Sequence, residues 1–449
     1  MRQPRFIAAN ILRQIDQGVY TLDHLLNKCE NQIHILNRHD RSLLHAIVFG
    51  VLRWQQRLDW IIDQLTAQKK KIDPTVRIIL RIGLFQLCFL KRIPVSAAVN
   101  TSVELSKSFK RQWAAGFVNG LLRQAIRHDD QIKWPDKVAD PSRFLSITQS
   151  MPRWLVDRWI IRWGFETTQE LCHGINTIPS ISLRVNTLKV SRKALALSIQ
   201  NQVDKIEPTH FSPDGLIFEH PIQSIAHWQK FQHGFFQIQS EAAQIVSRCL
   251  APQPGESIWD ACAGLGTKTA HIAQLMNNQG KILATDLSME KLKQLDAEMD
   301  RLGITIVKTR QMDLRLTEGK KINEKFDKIL LDAPCSGLGV LQKNPDGKWR
   351  CSPKDILFNA EKQLILIGHA VRYLKPKGIL VYAVCSLEPE ETEQVVDAFL
   401  QNHSEFAIHP FTLENIVDGD QLLTPRGFFT TIPHLHNMDG FFATALTQE

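Results

Sequence analysis

Two cysteines stand where apolar runs give way to polar turns: Cys335 in Leu331-Asp332-Ala333-Pro334-Cys335-Ser336-Gly337, and Cys385 in Tyr382-Ala383-Val384-Cys385-Ser386. Each follows a strand-like run, Phe326-Asp327-Lys328-Ile329-Leu330-Leu331 and Gly378-Ile379-Leu380-Val381-Tyr382. Ligands of an open α/β sheet bind outside the carboxyl ends of its strands, so both thiols are expected to face one crevice. That pairing points to covalent chemistry, in which a thiolate is the nucleophile. The other cysteines of the eight show no Cys-x-x-Cys spacing, and the sixteen histidines are scattered. Reduced thiols are therefore expected, with neither a disulfide framework nor a metal site.

A second constellation surrounds Asp260-Ala261-Cys262-Ala263-Gly264-Leu265-Gly266-Thr267-Lys268-Thr269, which follows the run Glu256-Ser257-Ile258-Trp259 and opens a helix. Its glycines permit a tight turn and let backbone N–H groups approach a ligand at the helix N-terminus. About twenty residues on, Asp286 ends the run from Lys281 to Thr285, where a carboxylate can accept two hydrogen bonds from a ribose diol. Asp313 and Asp332 extend the series, giving carboxylates at four consecutive strand ends. A nicotinamide dinucleotide is the competing cofactor. Against it, Gly264-x-Gly266-x-x-Thr269 lacks the third glycine, and hydride transfer needs neither cysteine. S-adenosylmethionine, with a ribose and an adenine but no pyrophosphate, suits these acids better, and Asp313 is the weaker candidate because a turn or cap role also explains it.

The surrounding elements fall into three regions. From 1 to 130 the apolar residues recur on one helical face, as in Ala8, Ile11, Leu12 and Ile15, or Leu43, Leu44, Ile47, Val48, Val51 and Leu52, so an all-α domain is expected. Prolines 135, 141, 152 and 179 break up 131–235, where Ile181–Asn186 and Asp214–Phe218 resemble short strands of a small α+β unit. Trp154, Trp159 and Trp163 within it are expected to pack in a core more than to stack on bases. From 236 to 449, runs at 256–259, 281–285 and 304–307 and the two before the cysteines alternate with helical windows. One runs from Ser288 to Gly303 and another from Ser352-Pro353 to Tyr373. That rhythm predicts a doubly wound, Rossmann-like parallel sheet. The formal charge of +8 suits a polyanionic partner such as nucleic acid, while Lys69-Lys70-Lys71 reads more simply as a solvated helix end. No run is long enough to span a bilayer, and Met1-Arg2-Gln3-Pro4-Arg5-Phe6 lacks a secretory apolar segment, so a soluble cytoplasmic chain is expected.

Methylation of C5 of cytosine needs this kind of equipment. Adding a thiolate at C6 makes C5 enamine-like and nucleophilic; an acid near N3 and a base for the C5 proton complete the requirement, with Cys385, Asp332 and Cys335 as candidates. At these residues the chain resembles the RNA 5-methylcytosine methyltransferases that use two cysteines. Asp332–Gly337 with Asn344-Pro345-Asp346-Gly347-Lys348-Trp349 is similar to the family's fourth motif, and Tyr382–Glu391 to its sixth, with Val384 in place of a usual Thr. The loop Cys262–Lys268 is similar to the family's Cys-Ala-Ala-Pro-Gly-Gly-Lys, departing from it at Gly264, Leu265 and Thr267. Gly50–Arg53, Leu80–Leu87, Arg92-Ile93-Pro94 and Phe117–Arg123 resemble the NusB-type helical domain of the bacterial small-subunit (16S) ribosomal RNA enzymes, and Ser182–Asn186, Gln239–Ala242 and Asp439–Phe442 fit as well. The resemblance implies that Cys385 is the nucleophile, that Cys335 assists release, and that S-adenosylmethionine lies against Cys262, Ala263, Gly264, Leu265, Gly266, Thr267, Lys268, Asp286, Asp313 and Asp332. It also implies a 16S ribosomal RNA partner, no membrane partner and a monomer. A DNA cytosine-C5 methyltransferase, in which the Pro-Cys cysteine is the nucleophile, would leave Cys385 and the NusB-like region unexplained, and an idle RNA-binding factor would have lost its reactive residues. Pro389-Glu390-Glu391 resembles a first helical turn, whose dipole would favour a Cys385 thiolate while Glu388, Glu390 and Glu391 oppose it.

Overall fold

The computed structural model describes residues 4–66, 71–127, 132–219, 221–316, 322–413 and 415–448; Lys69 and Lys70 of the lysine run lie outside them. The chain divides into two compact units, Met1–Thr177 with Leu341–Arg350, and Ile178–Val340 with Cys351–Glu449. The region expected at 131–235 is therefore shared between them.

The first unit is helical among its described residues. The stripe Ala8, Ile11, Leu12 and Ile15 of helix Pro4–Asp16 is buried, as are Leu44, Ile47, Val48, Val51 and Leu52 of helix Arg38–Leu65. Helix Pro74–Phe89 starts with Asp73 accepting from the N–H groups of Thr75 and Val76, and proline occupies the first helical position, where no N–H is needed. Gly50 allows that helix to approach, since a Cβ there would lie 1.9 Å from the Phe85 ring. Trp159 is buried in helix Arg153–Asn176, with Trp163 tilted against it at 6.3 Å.

In the second unit, strands β1 (Ile181–Val185), β2 (Lys205–Pro208), β3 (Gly215–Glu219) and β4 (Phe236–Ile238) form an antiparallel sheet in the order β2-β3-β1-β4. A larger sheet follows, from β5 (Ser257–Asp260), β6 (Lys281–Asp286), β7 (Val307–Gln311), β8 (Phe326–Asp332), β9 (Leu374–Val384), β10 (Phe406–His409), β11 (Phe429–Thr431) and β12 (Phe441–Gln448). Its order is β10-β12-β9-β8-β5-β6-β7, with β11 on β12. The pairs from β7 through β9 are parallel, as the alternating pattern predicts, whereas β10, β11 and β12 add an antiparallel edge. The chain winds outward from β5 through β6 to β7, then returns to place β8 on the other side of β5; the carboxyl ends of β5 and β8 thus flank the switch point where such sheets bind ligands. Strand β7 starts later than the apolar run at 304–307 suggests. The reason is local: Gly303 caps helix Met289–Leu302 in the left-handed region, and the Ile304 N–H still bonds to Met299 O at 2.9 Å.

The returning segment completes the first unit. Leu341–Arg350 sends the Trp349 indole N–H to Leu52 O at 2.8 Å, and receives Arg53 Nη2 on Gln342 O at 2.9 Å. Lys348 is buried with its Nζ at 3.1 Å from Arg53 O, 3.2 Å from Ser150 O and 2.7 Å from Asn176 Oδ1. Two carbonyls and an amide oxygen satisfy its donors without neutralising its charge. Burial, aided by the nearby Arg53 charge, lowers its pKa to about 7. Between about pH 7 and about pH 10 the unfolded chain holds a proton on this amine that the folded chain releases, so the contribution of Lys348 to stability grows as pH rises through that window. Denaturant unfolding at pH 7 and pH 9 should show a smaller gain on raising the pH in Lys348→Met than in the parent, together with a loss of roughly 1–3 kcal/mol from acceptors left bare.

Candidate active site

Parallel pairing of β8 with β9 sets Asp332 opposite Ala383. Cys335 lies three residues beyond the first and Cys385 two beyond the second, and their sulfurs stand 3.3 Å apart. The loops are joined by more than the thiols. Gly339 N donates to Cys385 O at 3.0 Å and Gly440 N to Gly339 O at 2.7 Å; a Cβ on Gly339 would come within 2.0 Å of that Gly440 region's carbonyl oxygen. Glu391 reaches both loops, accepting from Ser336 N at 2.7 Å and from the hydroxyls of Ser336 and Ser386 at 2.5 Å each. The Cys335 proton is held firmly: the hydrogen bond with Cys385, then burial, then the charges of Cys385 and Glu391 raise its pKa well above the usual thiol value.

The helix-dipole expectation for Cys385 fails. Pro389–Glu391 forms a short 3-10 turn, Thr392 takes a non-helical conformation, and the α-helix runs only from Glu393 to Asn402. Its N-terminus is eight positions past the thiol, outside the reach of one helical turn.

At the switch point the Gly-rich loop is folded by its neighbours. Ala263 N donates to Thr285 O at 2.8 Å and Gly266 N to Ala263 O at 2.9 Å, while Gly266, in the left-handed region, caps helix Thr267–Leu275. Asp286 accepts from Gly264 N at 3.0 Å and from Ser288 N at 2.8 Å, so one carboxylate fixes the loop and the next helix. Cys262 packs into the apolar layer, and burial pushes its thiol pKa far up, leaving its side chain inert. Leu265 is exposed, and Thr267 contributes its carbonyl, which accepts from Arg184 at 2.8 Å. Asp313 stands apart: both its oxygens are engaged by the Arg315 guanidinium at 2.9 and 2.6 Å.

Lys268 joins the two constellations. Its Nζ lies 2.6 Å from Asp332 Oδ2, linking the cofactor-side loop to the strand that leads to Cys335. Burial works to lower the Lys268 pKa, and the Asp332 carboxylate outweighs it. Two supporting residues escape sequence reasoning: Arg184, buried against Gln237, Gln239 and Gln274, and Gln363, which donates to Pro334 O at 2.9 Å. Arg184 lay within the recognised Ser182–Asn186 stretch, whereas Gln363 sits mid-helix without any signature.

Asp260 is buried, with Oδ2 accepting from Thr269 Oγ1 at 2.6 Å and Oδ1 without a partner. Burial first, reinforced by the charges of Asp332 and Asp286, raises its pKa to about 7. The folded chain therefore keeps a proton that the unfolded chain releases from about pH 4 upward, and stability falls as pH rises from about 4 to about 7. Asp260→Asn should flatten that decline, as urea unfolding at pH 5 and pH 7.5 would reveal.

Comparison with known proteins gives this geometry a family. Residues 247–447 match the family model for 16S rRNA methyltransferase RsmB/F, 2–127 the NusB family, and 151–225 the ferredoxin-like domain of RsmF/B-like methyltransferases. The chain is 36% identical over 99% of its length, and 99% of the relative's, to a probable ribosomal RNA small subunit methyltransferase B of Synechocystis. It is 33% identical to the probable enzyme of that name from Bacillus subtilis, covering 99% of this chain and 98% of the other. Among solved structures, that of PH0851 aligns over 100% of this chain and 99% of its own with a TM-score of 0.81 at 26% identity, and a methyltransferase homolog from Pyrococcus horikoshii over 68% and 97% with 0.58 at 28%. The NusB-like region, the ferredoxin-like sheet and the cysteine-bearing methyltransferase sheet thus occur here in the family's order, and the chain belongs to the RsmB/F family of S-adenosylmethionine-dependent 16S rRNA methyltransferases.

Proposed function

We propose that the protein methylates C5 of a cytosine in 16S ribosomal RNA through a covalent bond between Cys385 and C6. The observation that carries this reading is the pair of sulfurs 3.3 Å apart beyond the carboxyl ends of the paired strands β8 and β9. At this distance Cys335 can hydrogen-bond to Cys385, the partner that attacks. Addition of Cys385 Sγ to C6 moves the ring electron pair toward C5. S-adenosylmethionine supplies the methyl cation that C5 accepts. Forming the S–C6 bond removes Cys385 as the hydrogen-bond partner of Cys335. Once its own proton has passed to water, Cys335 as a thiolate takes the C5 proton; the C5–H electron pair reforms the C5–C6 double bond, and the S–C6 bond breaks with its electrons returning to Cys385 Sγ. Asp332, paired with Lys268, is assigned to the Watson–Crick edge of the base, where it accepts from the N4 amine while charge builds on the ring. An unpaired or loop cytosine reaches this crevice at least cost, because its base need not be pulled from a duplex.

The residues present suit the cofactor. Asp260 Oδ1 is a buried acceptor without a partner, fit for an ammonium group, and Gly264 offers an open cradle in which a Cβ would meet nothing within 4 Å. Asp286 retains lone pairs for a ribose diol beside its two backbone bonds. Asp313 would have to release Arg315 before reaching an adenine, which keeps it the weaker candidate. A cytoplasmic monomer remains the expectation for the chain as a whole.

Two measurements test this assignment. Asp286→Ala should weaken S-adenosylmethionine binding about tenfold or more, as loss of a charge-assisted hydrogen bond worth roughly 1.5–3 kcal/mol implies, and calorimetry showing unchanged affinity in the folded variant would remove the ribose role. With target RNA and labelled cofactor, Cys385→Ala should transfer no methyl and form no adduct, whereas Cys335→Ala should accumulate a denaturant-resistant, methylated protein–RNA adduct on a gel. The reverse pattern would make Cys335 the nucleophile, as in a DNA cytosine-C5 enzyme.

A further inference from the structure

Glu391 has no part in the chemistry above, yet its side chain is fully buried between the two reactive loops. Oε1 accepts from Ser336 N at 2.7 Å and from Gln363 Nε2 at 3.3 Å; Oε2 accepts from Ser336 Oγ and Ser386 Oγ, each at 2.5 Å. Ser336 follows Cys335 and Ser386 follows Cys385, so one carboxylate holds the residue next to each thiol. The two hydroxyl oxygens are 3.3 Å apart, the same separation as the two sulfurs. Behind them, the Tyr382 hydroxyl is 2.6 Å from Glu391 O and 3.0 Å from Gln363 Oε1, and Gln363 Nε2 reaches Pro334 O at 2.9 Å. The residues before and after Cys335 and the residue after Cys385 therefore converge on one side chain and its immediate support.

A buried carboxylate is a costly way to fill space, and the donors that meet this one, a backbone N–H, two hydroxyls and an amide, are all neutral. Burial pushes its pKa up, opposed by the donors of Ser336, Ser386 and Gln363. Hydrogen bonds to an ionised acceptor are short and directional, which suits fixing one position more than adding bulk stability.

We propose that Glu391 is the positioning residue of the reaction, acting through Ser336 and Ser386 to hold the sulfurs of Cys335 and Cys385 at contact distance. The inference rests on the covalent reading of those two cysteines. Its geometric part does not depend on any methyl transfer. Neighbouring thiols oxidise to a disulfide when diamide accepts their two electrons and two protons, so the rate of Cys335–Cys385 disulfide formation reports their proximity directly.

The test uses the full chain with Glu391→Ala, Glu391→Gln and the double variant Ser336→Ala/Ser386→Ala. Diamide oxidation is followed by mass-spectrometric mapping of the Cys335–Cys385 disulfide, and methyl transfer to 16S ribosomal RNA is measured as kcat and KM for S-adenosylmethionine. Glu391→Ala should slow disulfide formation and lower kcat, the latter about a hundredfold as expected for displaced reacting groups, with KM for the cofactor unchanged. Glu391→Gln should restore most of both, because an amide oxygen can accept from Ser336 N while its NH2 donates to hydroxyls that turn to receive it. That variant also separates lost charge from lost geometry. The double serine variant should reproduce the loss with the carboxylate in place, and decides the matter if Glu391→Ala fails to fold. Parent rates of oxidation and transfer in folded Glu391→Ala, or in the double serine variant, would overturn the proposal. If the parent chain proved not to methylate cytosine C5, the covalent reading would fall, and the oxidation rates alone would still decide whether Glu391 sets the thiol geometry.

Discussion

The parallel register of β8 against β9 is the constraint on which the site depends. Side chains alternate across a strand, and a slip by one residue would turn every one of them to the opposite face. With Asp332 paired to Ala383, two turns leave neighbouring strands at the same height, and the thiols they carry come into contact. Both faces of the pair are packed: Leu330 and Val381 enter one apolar layer and Ile329, Leu331, Leu380 and Tyr382 the other, and the fit of both layers holds the register. The chemistry at the end of the strands is therefore placed by packing along their length.

Acid side chains then adjust what packing has placed. Asp260, Asp286, Asp332 and Glu391 all belong to the catalytic sheet's carboxyl edge, and each is handled differently. Asp286 is satisfied by two backbone N–H groups, Asp332 by the Lys268 ammonium and Glu391 by hydroxyls and an amide, whereas Asp260 is left with one bare oxygen. Unequal partners place the same functional group in unequal settings, which is how one fold can carry several roles. The cost of the bare oxygen falls on the free protein and is relieved by any cation that binds there.

Much of this arrangement was legible in the chain because the signals were periodic or local. Alternating strands and helices, a serine before and a glycine after helix Met289–Leu302, and cysteines at two strand ends all follow from short-range rules. The antiparallel edge was not, since β10 to β12 depend on where the chain returns after β9, and sequence periodicity does not encode strand direction. Pro389-Glu390-Glu391 had the residues of a helix start, but the turn it forms closes on Glu388 O through Glu391 N, and Thr392 interrupts it. Glu391 was visible as a charge near Cys385; that its carboxylate turns inward to two serines fifty residues apart depends on the tertiary fold alone.

The segment Leu341–Arg350 has a consequence for the order of synthesis. The helices of Met1–Thr177 leave the ribosome first, yet the residues whose indole and ammonium groups fill their open carbonyls come about 170 residues later. At ordinary rates of synthesis that interval lasts roughly ten to thirty seconds. During it the carbonyls of Leu52, Arg53 and Ser150 are without these donors. The first unit to be made is thus among the last to be finished, and its completion waits until translation has already passed Cys335.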